Sequence, residues 1–467
     1  MQIARPIPAS GHSKTPLLKK LFWVYFLLLI FEGALRKWIL PELSAPLLLV
    51  RDPVALLILV EAYRTGKWPQ KWATISGFLA VTMFILCGLQ VIIVENPWMA
   101  ALFGLRSYLL PFPVAFVMGE NLTAEDLRKF GLCTLWILLP LTALEVAQYM
   151  AHPDSLLNVG AYKGGAQISY VPEHVRAAAT FSFVTGPICY AALAAAFTFY
   201  GLINDKFAPR WLTWASTGAL LLSIPVVGSR TVAYELASVA VCAGVAAMLG
   251  VTQLFRVLKI VAPILALYLL VSFLPIFSTA SVSMHARFQH ANTAEGGSVG
   301  RVIAHRTLVP IEEELEMTDF AGHPIGVGMG QGASAIVELM TGKAGFSLGE
   351  DELGRVMAEM GPLVGISFML FRLVLALFFI MQALVVARNQ EPLALFFVPL
   401  AVSGIFLGVL EQPTEQGFMV IGVAFTLAAL KLSNKRTLET TSRNLRREPL
   451  RYSMPRPEQT SPGAGNS

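Results

Sequence analysis

Residues Trp72 to Val94 read W-A-T-I-S-G-F-L-A-V-T-M-F-I-L-C-G-L-Q-V-I-I-V, without a charged side chain. A bilayer's hydrocarbon core is about 30 Å thick, and roughly 20 helical residues cross it. Within lipid every backbone polar group must be paired, which a helix does inside one segment. The run is therefore read as a spanning helix, and comparable runs recur along the chain. Of 467 residues, 55% are hydrophobic and 14% charged, against roughly 25% charged in a soluble domain. Alternating strands of about ten residues, the mark of a membrane barrel, are not seen. The chain is read as an all-α polytopic membrane protein.

About twelve spans follow from the apolar runs. They lie near 19–39, 45–63, 72–95, 98–119, 127–150, 177–203, 211–228, 231–250, 257–277, 353–387, 392–411 and 416–432. Basic residues mark alternate connections: Arg64, Lys67 and Lys71; Arg128 and Lys129; Lys206 and Arg210; Arg256 and Lys259; Arg388; and the C-terminal tail. The turns at 95–97 and 411–416 have none, with Arg36 and Lys37 the exception on that side. The bias places both termini in the cytoplasm. Residues 1–433 form one membrane domain with two long outer loops, near 151–176 and 278–352, and 434–467 form a basic, disordered tail. An amphipathic helix is expected near 300–317, with Val302, Ile303, Leu308, Ile311 and Leu315 on its apolar stripe. The first apolar run follows Lys14, Lys19 and Lys20 without a small-residue cleavage site and reads as a retained anchor. The tail suits anionic lipid; it lacks the interleaved aromatics of a nucleic-acid binder. Cys87, Cys133, Cys189 and Cys242 all fall in apolar runs and read as small buried hydrophobes.

The candidate chemistry lies in a polar island from His323 to Gly365. It opens G-H-P-I-G-V-G-M-G-Q-G and continues E-D-E-L-G-R-V-M-A-E-M-G-P-L-V-G after a spacer. So polar a stretch in so apolar a chain is expected in water or a wet cavity at the outer face. Charges inside a bilayer are costly, roughly 2.5–3.5 kcal/mol on insertion scales, and are candidates for function. Glu32, Glu145, Arg230, Glu235, Glu411 and Glu415 all fall near the outer ends of spans, and Arg106 about two turns below. Such groups either pair to hold helices together or line an outward-facing cavity; their confinement to one leaflet favours the cavity. Arginine, planar and always charged, suits a phosphate-bearing substrate, and Arg176, Arg230 and Arg301 are the outer-side candidates, with Arg106 deeper. Glu350, Asp351, Glu352 and Glu359 could supply a general base toward a hydroxyl, with Glu350 or Glu352 preferred. Histidines 152, 174, 285, 290, 305 and 323 lie in the outer loops without metal-ligand spacing, and no metal or other cofactor is expected. The glycine run lacks the strand–turn–helix setting of a dinucleotide loop, and no phosphate-binding G-x-x-x-x-G-K-[ST] is present.

Three features together resemble bacterial O-antigen ligases and Wzy-type O-antigen polymerases. Gly228-Ser229-Arg230-Thr231 is similar to that family's S-R-[GT] signature. Arg301 followed by His323-Pro324-Ile325-Gly326-Val327-Gly328 is similar to R…P-[LI]-x-G-x-G. Glu359-Met360-Gly361-Pro362-Leu363-Val364-Gly365 is similar to the E-x-G-x-[IL]-G that opens the span after the large periplasmic loop. The likeness covers residues 170–430. It implies a bacterial inner-membrane glycosyltransferase of the cell envelope, acting at the periplasmic face on undecaprenyl-diphosphate-linked glycans beside other polysaccharide-assembly proteins. Arg230 and Arg301, and more weakly Arg176, would then hold the donor's diphosphate. The ligases carry H-N-x-x-L ahead of the E-x-G glutamate, where this chain has Glu350 and Asp351, with Gly354 in place of the leucine. Either Glu350 serves as base, or the acceptor differs, or this member does not catalyse ligation. The rival expectation is a non-enzymatic flippase or carrier that binds the same lipid phosphate.

The orientation is tested by cysteine accessibility in a cysteine-free background. Glu95→Cys is expected to react with a membrane-impermeant maleimide on intact cells stripped of outer membrane, and Lys206→Cys only after the inner membrane is opened. The reverse pattern would invert the topology.

Overall fold

A computed structural model of the chain describes residues 16–161, 167, 169–171, 174–250, 264–294, 324–333, 336, 352–388 and 391–447. The amphipathic helix expected near 300–317, Arg301 and Glu350 lie outside them. The described residues are mainly helical. In chain order they form α1 (Pro16–Ala34, prolonged by a π turn, Leu35–Ile39), α2 (Ser44–Leu47), α3 (Arg51–Arg64), α4 (Gln70–Ile93), α5 (Trp98–Leu109), α6 (Pro111–Asn121) and α7 (Ala124–Met150). A two-stranded antiparallel pair follows, β1 (Ser169–Val171) and β2 (His174–Val175). Then come α8 (Thr185–Ile203), α9 (Arg210–Val227), α10 (Arg230–Met248), α11 (Ile264–Ser272), α12 (Pro275–Ala294), α13 (Glu352–Ala387), α14 (Leu393–Val402, prolonged by a π turn, Ser403–Leu407) and α15 (Pro413–Arg447).

Seven helical segments among the described residues are long and apolar enough to cross a membrane: α4, α5 with α6, α7, α8, α10, α13 and the first part of α15, to Ser433. α11 and α12 make an eighth if taken together, and they meet at 90° within the segment expected to span at 257–277, of which residues 257–263 lie outside the described ones. Helices also occupy the expected segments 19–39, 45–63, 211–228 and 392–411, and these are shorter, more charged or more polar. α15 lies at the centre, packed on α6, α14 and α8, with nearly every residue from Phe418 to Leu430 buried. A helix apolar on all sides belongs in such a position. It runs on to Arg447, into the segment read as a disordered tail.

The helix ends show why the chain breaks where it does. Thr123 and Asp126 close a capping box at the start of α7. Gly228 adopts the left-handed conformation (φ 64°) at the end of α9, and Ser229 caps the amide of Thr231 at the start of α10. The S-R-T signature is therefore also a stop–start signal between two helices. α8 begins at Thr185 rather than 177, because polar side chains claim the preceding backbone. Gln148 accepts from the Ala179 amide (2.8 Å) and donates to its carbonyl (3.2 Å), Lys37 Nζ donates to the same carbonyl (3.2 Å), and Thr180 donates to the Ile30 carbonyl (2.6 Å). Ala179 is held at φ 46°.

Contacts between connections define two ends of the bundle. At one end Lys19 pairs with Asp126 (2.6 Å), Asn121 reaches the Lys67 carbonyl (3.0 Å), Arg128 the Phe207 carbonyl (3.2 Å), and Lys431 the Glu120 carbonyl. The opposite end gathers Arg36, Asn96, Gln148, the 324–333 segment and the 408–413 turn.

The expected span 353–387 divides. Gly361 (φ 75°, ψ 165°) breaks α13 into a short arm, 352–360, and a long arm, 362–387. The arms fold back on each other: a Cβ added at Gly365 would lie 2.9 Å from Met357 Cα, and Arg372 reaches Glu352. An L side chain at position 361 would meet both an unfavourable backbone conformation and the Gly326 amide nitrogen at 2.7 Å. Gly361→Ala is therefore expected to cost at least ~2 kcal/mol of stability. Gly77→Ala, in a helix where nothing lies within 4 Å, is expected to be neutral or stabilising by up to ~1 kcal/mol. Reversible unfolding in detergent compares the two.

Candidate functional site

The 324–333 segment, expected in water or a wet cavity at the outer face, lies largely buried in the bundle. A buried loop must find partners for its backbone, and three side chains from other elements provide them. Glu359, at the top of the short arm and fully buried, accepts from the Gly330 amide (3.0 Å), the Gly332 amide (2.6 Å) and the Tyr108 hydroxyl (2.8 Å). Gln90 donates to the Ile325 carbonyl (2.7 Å) and the Glu359 carbonyl (2.6 Å), and accepts from the Met329 amide (2.9 Å). Asn96 donates to the Met329 carbonyl (3.1 Å). Gly330 (φ 82°) passes so close to α5 that a Cβ would stand 2.7 Å from the Gly104 nitrogen. The glycines thus serve close packing against helices.

Below this loop the short arm carries a buried ion network. Glu352 accepts from Arg355 (2.9 Å), Arg372 (2.5 Å) and the Leu410 amide (3.2 Å). Arg372 also donates to the Gly408 carbonyl (2.7 Å) and the Ile405 carbonyl, and its guanidinium stands 5.7 Å from the centre of the Phe368 ring. Glu415 accepts from the Val409 amide (2.6 Å), and Gln416 donates to the carbonyls of Leu410 (3.0 Å) and Ser107 (3.1 Å). Residues 408–412 are thereby fixed from both sides, and Glu411 projects from them to within 3.6 Å of Arg355 Nε.

A second group lies beside the first. Glu32 pairs with Arg51 (2.8 Å) and more loosely with Arg36 (3.9 Å). Arg36 donates to the Ser44 carbonyl (2.8 Å), Ser182 Oγ (2.8 Å) and the Ala161 carbonyl (3.1 Å). Arg106 grips both oxygens of Asp52 (2.6 and 3.0 Å). Arg51 also donates to the Pro413 carbonyl and so joins the two groups. Elsewhere at this end Glu145 is buried and accepts from Ser223 (2.6 Å).

Of the residues singled out by sequence, Glu352 and Arg106 are thus engaged in buried ion pairs. Arg176 and Arg230 are partly buried and lie close in sequence to Ala177 and Val226, which form a small apolar cluster with Tyr149 and Ala280. Sequence reasoning passed over Arg372, Tyr108, Gln90 and Asn96. Arg372 had a readable signal, a lone charge within an apolar run. The other three are ordinary polar residues near helix ends, and only the fold gives them a loop to hold.

The fold and the site together define an α-helical membrane protein in which, among the described residues, most buried charges are gathered at one end, with Asp126 buried at the other. No protein-family model matches the sequence, and no curated protein matches it.

Removing one partner of a buried ion pair typically costs about 3–5 kcal/mol. Arg372→Met leaves Glu352 one guanidinium short and two carbonyls without their donor. A loss of about that size is expected in reversible unfolding. Lys129→Ala, which removes an exposed pair with Glu125, is expected to change stability by less than ~0.5 kcal/mol.

Proposed function

We propose that the protein is an inner-membrane polysaccharide polymerase or O-antigen ligase-like glycosyltransferase. It acts on undecaprenyl-diphosphate-linked glycans at the periplasmic face, with both termini in the cytoplasm. The observation that carries this reading is one-sidedness. Glu32, Arg36, Arg51, Glu352, Arg355, Glu359 and Glu411 are all buried at the end that also holds the S-R-T turn. At the opposite end Lys19, Lys67, Arg128, Lys129 and Lys206 cluster around the connections, as the positive-inside bias requires of a cytoplasmic face. A transferase needs access from one side, whereas a carrier needs a route through both.

Arg230, first residue of α10, adds its guanidinium to the partial positive charge of a helix N-terminus, a favourable place for a diphosphate. In the transfer, the acceptor's hydroxyl oxygen bonds to the anomeric carbon of the donor. The bond from that carbon to the diphosphate oxygen breaks with its electron pair on the diphosphate, and Arg230 and Arg301 stabilise the departing charge.

The test is transfer in liposomes supplied with undecaprenyl-diphosphate oligosaccharides, with products separated by gel and mass spectrometry. The parent is expected to consume donor and lengthen the glycan. Arg230→Ala and Arg301→Ala are each expected to slow this by about 100-fold or more. Movement of labelled lipid between leaflets without any glycan product would replace the transferase by a carrier.

A further inference from the structure

Glu411 is the one member of the buried ion network whose carboxyl is left over. It is 4% exposed, and among the described residues no donor lies within hydrogen-bond distance of either oxygen. Arg355 Nε, at 3.6 Å, is also without a hydrogen-bond partner. The shortfall is not slackness in the backbone, because every neighbour is fixed. Leu410 is held through its amide by Glu352 and through its carbonyl by Gln416, Val409 by Glu415, and Gly408 by Arg372. A tightly held segment thus presents one unsatisfied acid. Buried polar groups are normally paired, so the exception calls for a cause.

The charged and titratable groups around it supply that cause. From the short arm of α13 come Glu352, Arg355 and Glu359; from the long arm, Arg372; from α5, Tyr108; from α15, Glu415. Arg372 and Nη2 of Arg355 are already committed to Glu352, and only Nε of Arg355, 3.6 Å away, faces Glu411. Glu359 already accepts from two amides and a hydroxyl. Glu411 therefore sits beside a carboxylate with too little positive charge to offset a second one. Two adjacent carboxyls cannot both ionise in such a place; one keeps a proton and donates it to the other.

We infer that Glu359 and Glu411 hold one proton between them and that Glu411 is the group through which the site exchanges protons with its substrate. Burial first, and the adjoining Glu359 carboxylate second, push the Glu411 carboxyl well above the usual carboxylate range, in agreement. The role in the reaction rests on the proposed transferase. The acceptor hydroxyl loses a proton as its oxygen bonds to the anomeric carbon, and the departing diphosphate oxygen gains one. Glu411 gives its proton to the diphosphate and takes the acceptor's in return, so it ends as it began. The arrangement needs no histidine, consistent with acidic residues standing where the ligases' H-N pair would be.

The shared proton is tested without substrate, by infrared spectroscopy of the protein in lipid bilayers as pH is raised. The difference between parent and Glu411→Gln is expected to show a protonated-carboxyl stretch at neutral pH that disappears at alkaline pH. A parent spectrum without that band, or a band unchanged in Glu411→Gln, would overturn the inference. The liposome transfer assay tests the role. Glu411→Gln is expected to lower kcat about 100-fold with little change in donor KM, which a merely structural defect would not produce. Transfer by Glu411→Gln at the parent's rate would also overturn it. A parent that shows the band but transfers no glycan would refute the proposed function and leave the proton pair standing.

Discussion

The Glu359 carboxylate holds this structure's polar end together. Three donors converge on it, two of them backbone amides from a segment far along the chain. An amide left unpaired in a buried site costs about 1–3 kcal/mol, so without this acceptor the glycine segment would not stay inside the bundle. With it, the segment closes over the short arm of α13, and the short arm in turn places Glu352 and Arg355 against the 408–412 turn. Gly361 makes the geometry possible. Its left-handed φ reverses the chain two residues after Glu359, so one E-x-G unit both receives the loop and folds the arm back.

The buried charges form two joined halves. The N-terminal half sets Arg36, Lys37, Arg51 and Arg106 against Glu32 and Asp52; the C-terminal half sets Glu352, Glu359, Glu411 and Glu415 against Arg355 and Arg372. One half has an excess of cations and the other of carboxyls, and Arg51 bridges them through Pro413. The desolvation penalty of so many ions is large. Their concentration at one end, where the opposite end buries only Asp126 among the described residues, fits a site better than general bracing. On the proposed reading the cation-rich side favours a lipid diphosphate and the acid-rich side handles the proton.

The helices were legible in the sequence because span length and lack of charge are local properties. Trp72–Val94 announced α4 to within a residue or two. The basic connections around Lys67, Arg128 and Lys206 announced one end of the bundle. Glycine, by contrast, signals permission without saying for what. Gly326 to Gly332 suggested a loop in water or a wet cavity, and the fold uses the same freedom to press backbone against α5. The run from Glu352 to Ala387 read as one helix because a Gly-Pro step inside an apolar pattern does not state whether the chain kinks or reverses. Arg106 read as a phosphate ligand and Glu352 as a general base; their partners Asp52, on α3, and Arg372, on the long arm of α13, are brought to them only by the tertiary fold.

The central claim is that the glycine segment is docked inside the bundle on Glu359. Peptide-level hydrogen exchange of residues 324–333, in nanodiscs, addresses it directly. The account predicts amides at Gly330 and Gly332 that stay protected for hours, as in the surrounding spans, and lose that protection in Glu359→Ala. Exchange within seconds in the parent would mean a solvated loop and would contradict it.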